Sequence, residues 1–120
     1  MAVKNQALHD RTKKFALRVI RLFSALPKNP QAQILGKQLL RSGTSVAANY
    51  REGCRARSDA ELKSKLGIVE QELDESLLWM ELLVESGLIE ESRMQDLMGE
   101  CNELLSIVVT AIKTIKLREM

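Results

Sequence analysis

From Leu62 onward the chain places an apolar residue every three or four positions without a break: Leu62, Leu66, Val69, Leu73, Leu77, Met80, Val84. That step keeps one stripe on one side of an α-helix and builds a seam for packing against other helices. A half-buried strand would need alternation at every second residue. The seam is bounded by chemistry that starts and stops helices. Ser58 and Glu61 form an S-x-x-E capping pair ahead of it. Gly87 follows it as a C-terminal stop.

The remainder reads in the same way. A first helix is expected from about Asn5 to Ala25, with Leu8, Phe15, Val19, Leu22 and Leu26 at helical spacing, flanked by Ala16, Ile20 and Phe23. The chain's only prolines, Pro27 and Pro30, lie in one turn. Pro27 ends the first helix, Asn29 suits an N-cap, and Pro30 fits the first helical position, where its missing N–H is harmless. The second helix then runs from Pro30 to about Arg55. It is rich in small residues: Gly36, Ser42, Gly43, Ser45, Ala47, Ala48 and Gly53. Each glycine costs about 1 kcal/mol of helix propensity relative to alanine. Close approach of neighbouring helices offsets such a cost, so this helix should be packed on more than one side. A fourth helix should start near Glu90 or Glu91, with the stripe Leu97, Cys101, Leu104, Leu105, Val108, Ile112 and Ile115. Acids in its first turn and Lys113, Lys116 and Arg118 in its last turns suit the helix dipole. Short connections force long neighbours to run antiparallel. The expected fold is all-α, an antiparallel up-down four-helix bundle in one domain over residues 1–120.

Several function classes have no support. Aromatics are 3% of the chain, which weighs against both a sheet and stacking platforms for bases. No apolar run approaches the ~18 to 20 residues that span a bilayer, and Met1 to Asp10 lacks a signal-peptide core, so a cytoplasmic location is the expectation. Cys54 and Cys101 form no CxxC pair and read as reduced, buried, small apolar residues. The single histidine, His9, would have to serve any zinc site or catalytic triad. The acids Glu52, Glu70, Glu72, Asp74 and Glu75 lack the Glu-x-x-His motifs of di-metal bundles. No enzyme, metal or cofactor is therefore expected. Arg41-Ser42-Gly43-Thr44-Ser45 lies inside a helical pattern and reads as close packing rather than an anion loop. Asn49 and Glu52, one turn apart, are expected to be partly buried and bonded to Arg41 or another arginine, fixing helix register.

The charge is unevenly distributed. Residues 1–57 carry 12 Lys/Arg and 2 Asp/Glu, while residues 58–120 carry 6 and 14. Two readings stay open: an anionic partner for the basic half, or neutralisation of one half by the other within the bundle. The cations form rows. Arg11, Lys14, Arg18 and Arg21 share a flank of the first helix. Lys37, Arg41, Arg51 and Arg55 share a face of the second through Thr44 and Ala48, and Arg57 extends it. Rigid cationic rows suit phosphates without base reading, and point to backbone-directed, salt-sensitive RNA or DNA binding. Solvated faces and intramolecular pairs are the other reading. A protein partner with an acidic surface, in a scaffold role, is the alternative function.

Leu77 to Val84 reads Leu-Leu-Trp-Met-Glu-Leu-Leu-Val, apolar all round the helix. One bundle buries one stripe, so the remainder, Leu78, Trp79 and Leu82, is expected to form a homo-oligomer contact. The competing reading is that chain ends cover it.

Residues 41–53, Arg-Ser-Gly-Thr-Ser-Val-Ala-Ala-Asn-Tyr-Arg-Glu-Gly, carry a resemblance that continues through Ser58 to Leu66 and Glu72 to Met80. The chain resembles the bacterial four-helix bundle proteins encoded in intervening sequences of large-subunit ribosomal RNA genes, also labelled S23 ribosomal proteins. Leu78 stands where relatives often carry an aromatic. The resemblance implies a bundle that assembles as a pentameric barrel. More distantly the chain is similar to accessory variability proteins of diversity-generating retroelements, basic pentamers that engage nucleic acid and a reverse transcriptase. No catalytic residues come with either resemblance.

Overall fold

Asn29 begins the second helix as expected: its side-chain oxygen accepts from the Ala32 N–H at 2.8 Å, with Pro30 at the first helical position. Local chemistry of this kind bounds four helices in the computed structural model, which describes residues 6–120. They are α1 (Gln6–Ser24), α2 (Pro30–Cys54), α3 (Asp59–Glu85) and α4 (Glu91–Arg118). Asn5, the expected start of α1, lies outside the described residues.

Ser58 caps α3 by accepting from the Glu61 N–H at 3.1 Å. The return bond of the capping pair is shifted by one residue, because Glu61 Oε2 accepts from the Arg57 N–H at 3.3 Å rather than from Ser58. At the far end Gly87 adopts φ +80, which a side chain would oppose. The Gly87 and Leu88 N–H groups then close back onto the Val84 and Leu83 carbonyls at 3.0 and 3.1 Å, a Schellman turn. Helix α4 starts with Glu90, whose side chain makes no cap bond.

The helices run up, down, up, down. Each packs against its chain neighbours, α1 closes on α4 only sparsely, and the diagonal backbones do not approach one another. The bundle measures 49 × 20 × 20 Å. Its interior holds residues of the expected stripes, Phe15 and Val19 from α1, Leu62, Leu66, Val69, Leu73 and Met80 from α3, and Leu104, Val108 and Ile115 from α4, joined by Leu39, Val46 and Tyr50 of α2, for which the sequence shows no such stripe. Leu83 replaces Val84 as the last buried residue of the α3 seam, and Leu77 and Val84 are half-buried.

Helix α2 is packed on two sides, and its small residues divide between them. Gly36 and Gly43 face α1. A Cβ at Gly43 would lie 2.9 to 3.1 Å from Cγ2, Cγ1 and Cβ of Val19. Ser42 and Gly53 face α3. Ser76 Oγ donates to the Glu72 carbonyl at 2.8 Å, which leaves its lone pairs to accept from Ser42 Oγ at 2.8 Å. Both hydroxyls are fully buried, so this satisfied pair sets the α2–α3 register.

Candidate nucleic-acid interface

The nine cations singled out above do not share one fate. Arg11 reaches across to α4. Its Nε donates to Glu100 Oε2 at 3.1 Å, and its Nη2 donates to Glu100 Oε1 at 2.6 Å and Glu103 Oε2 at 3.3 Å. The hydrogen bond to Glu100, reinforced by the charges of Glu100 and Glu103, raises the Arg11 pKa above its ordinary value against the opposing effect of burial. Arg41 is likewise engaged, donating to Glu72 at 3.3 Å and Glu75 at 3.0 Å on α3. At these two positions the acidic half does answer the basic half.

The other seven, Lys14, Arg18, Arg21, Lys37, Arg51, Arg55 and Arg57, form no side-chain ion pair among the described residues. Arg18 is half-buried and the rest are exposed. They are not one row in space. Lys37 and Arg55 are eighteen residues apart on α2, ~27 Å at 1.5 Å per residue. Arg51 and Arg55 instead join α1 in a groove of about 350 Å³, lined by His9, Lys13, Ala47, Ala48, Arg51, Glu52 and Arg55. Lys13 and His9 are site residues that sequence reasoning missed. Their signal was a spacing of four, one helical turn, on the flank of α1 opposite to the row that was drawn.

Asn49 is half-buried, and its Nδ2 donates to the Ser45 carbonyl of its own helix at 2.9 Å. Glu52 is exposed and takes Lys65 of α3 at 2.6 Å, not an arginine. The reason is height along the bundle: Arg41 stands ~16 Å up α2 from Glu52, whereas Lys65 lies directly across. The remaining links between elements, Lys63 to Glu119 and Arg118 to Asp59, tie α3 to the end of α4.

On the α2–α3 face the greasy end of α3 divides. Met80 and Leu83 are buried, while Leu78 is 45% and Leu82 is 37% exposed. Trp79 is half-buried against the core, and its Nε1–H is shut off from solvent with no hydrogen-bond acceptor among the described residues. In the register set by Ser42 with Ser76 and Glu52 with Lys65, Ile34 of α2 stands level with Leu83 and Val84, within one turn of Leu82, and is 63% exposed. Among the described residues no three His, Cys, Asp or Glu side chains gather as a metal site, and no helix is long and apolar enough to cross a membrane. Both cysteines are free. Cys101 is buried with its thiol donating to the Leu73 carbonyl at 3.2 Å, and burial above all pushes its pKa up to about 12.

These features define an antiparallel four-helix bundle with cations on α1, α2 and the turn after α2 that are unpaired among the described residues, and exposed apolar side chains at Ile34, Leu78 and Leu82. Residues 4–110 match the 23S rRNA-intervening sequence protein family, and the chain belongs to that family. A crystal structure of a protein of unknown function from the S23 ribosomal protein family, from Bacteroides thetaiotaomicron, is similar throughout. It is 32% identical, superposes with a TM-score of 0.85, and the match covers 92% of this chain and 98% of that one. None of the curated proteins matches the chain.

Proposed function

We propose that this chain is a non-catalytic, cytoplasmic accessory protein that self-associates and holds nucleic acid on the basic faces of α1 and α2. The observation that carries this reading is the set of seven cations on α1, α2 and the turn after α2 that have no acidic partner, in a bundle where Arg11 and Arg41 do have one. Unneutralised arginines and lysines on rigid helices attract phosphates, and the scarcity of aromatics leaves little means of reading bases. Self-association is supported by Ile34, Leu78 and Leu82, which leave apolar surface in water, and by the Trp79 indole N–H, which lacks an acceptor among the described residues. A second copy is the occupant we favour, and five subunits is the number the family resemblance implies. The same surface is what favours the second reading, a scaffold that binds a different protein.

Binding of labelled mixed-sequence RNA and DNA is measured by anisotropy from 50 to 200 mM salt. Three to seven phosphate contacts give a slope of log affinity on log salt of about −2 to −5 for a single strand. Binding that is absent at 50 mM, or flat with salt, removes the nucleic-acid reading.

A further inference from the structure

The groove between α1 and α2 differs from the other cationic positions because it is concave. Lys13 stands on one wall and Arg51 and Arg55 on the other, and none of the three forms an ion pair among the described residues. Ala47 and Ala48 line it with nothing larger than a methyl group, so a ligand backbone can come close to α2. The groove has one acid, Glu52, and Lys65 holds that carboxylate at 2.6 Å from the α3 side, which mutes its repulsion of an anion. His9 is the only ring in the lining.

The geometry points to this groove as the seat of a single phosphodiester strand, with Lys13, Arg51 and Arg55 as its phosphate ligands and His9 against a sugar or base. This rests on the nucleic-acid reading above and narrows it to one place and one form of nucleic acid. Arg51 and Arg55 are one turn apart, ~6 Å along the helix, a length comparable to the sugar–phosphate repeat of an unstacked strand. Guanidinium groups present paired donors that fit phosphate oxygens. Packed helix axes lie only ~8–10 Å apart, so the furrow between them admits one backbone while a duplex meets only its rim. With the three cations on phosphates and Glu52 held by Lys65, little of the lining is left to read bases, so the strand is held without sequence preference.

The test uses the full chain with a mixed-sequence RNA 10-mer and a duplex of equal length. If affinity scales as salt to the power −0.7 per phosphate contact, each contact is worth about eightfold at 50 mM salt. Lys13→Ala, Arg51→Ala and Arg55→Ala should each weaken the single strand about eightfold and flatten the salt slope by about 0.7. Lys113→Ala and Lys116→Ala on α4, outside the proposed binding faces, should change it less than twofold. Lys14→Ala and Arg21→Ala locate the binding if the groove does not hold it. Circular dichroism melts of every variant should match the parent, because all these side chains are exposed. If the groove variants keep their affinity and the Lys14 and Arg21 variants lose it, the groove assignment is overturned and the broader reading stands. If no variant loses binding, both fall. Preference for the duplex also overturns the assignment. So does displacement of the strand by poly-glutamate or inorganic phosphate at matched ionic strength, since the groove would then be a general anion or acidic-peptide site.

Discussion

Replacing Gly43 by alanine tests the close approach on which the α1–α2 side depends. In isolation the change should help, since alanine is worth about 1 kcal/mol over glycine inside a helix. The site forbids it. The new methyl would sit 2.9 Å from Val19 Cγ2 and 3.0 Å from Cγ1, and also 3.1 Å from Val19 Cβ. Rotation about χ1 moves the two Cγ atoms but not Cβ, and a branched residue has few rotamers to choose from. Val19 is fully buried, so the backbones of α1 and α2 must separate. Overpacking of this kind costs about 1–3 kcal/mol, which leaves a net loss of up to about 2 kcal/mol. At 120 residues, 1 kcal/mol moves the melting temperature by about 4 °C, so Gly43→Ala should melt lower, by up to about 8 °C. Gly99 is the control. It lies exposed inside α4, and a Cβ there meets nothing within 4 Å. Gly99→Ala should therefore gain about 0.5–1 kcal/mol and melt about 2–4 °C higher. Both melts are followed by far-ultraviolet circular dichroism at one fixed protein concentration, because association shifts the midpoint. A Gly43 variant that melts at or above the parent would refute the packing argument.

Two further outcomes follow from the buried thiol and the exposed apolar side chains. Alkylation of the native protein near pH 8, read by mass spectrometry, should modify Cys54 and spare Cys101, which should react only after denaturation. Folding raises the Cys101 pKa from 9.0 to about 12, so its contribution to stability is complete below pH 9 and declines as pH rises towards 12. There the unfolded chain sheds a proton that the folded chain keeps. Cys101→Ala should lessen that decline in denaturant titrations, and an unchanged slope would count against the assignment. Leu78→Glu, at an exposed position, should leave the fold stable to within about 0.5 kcal/mol. In size-exclusion chromatography with light scattering it should convert an assembly into single chains. A parent protein that is already monomeric at high concentration would end the self-association proposal.

Helix existence and limits were legible in the sequence because their causes are local. Apolar spacing, the Asn29 and Ser58 caps, the Pro27–Pro30 turn and Gly87 act within a few residues of themselves, and the helices begin and end there. The buried set was legible in part for the same reason, but Leu83 replaces Val84, Leu22, Leu77, Leu105 and Ile112 are only half-buried, Ile20 is exposed, and the α2 core of Leu39, Val46 and Tyr50 was hidden among its small residues. The candidate site was legible only as a list of cations. Which of them stay free depends on what stands opposite at the same height on another helix. Arg11 meets Glu100 and Arg41 meets Glu72, while Arg51 and Arg55 meet Lys13 across a groove. Long charged side chains carry no local instruction about their partners. Tertiary packing, through the α1–α2 approach that Gly36 and Gly43 permit, decided which charges were neutralised and which were gathered.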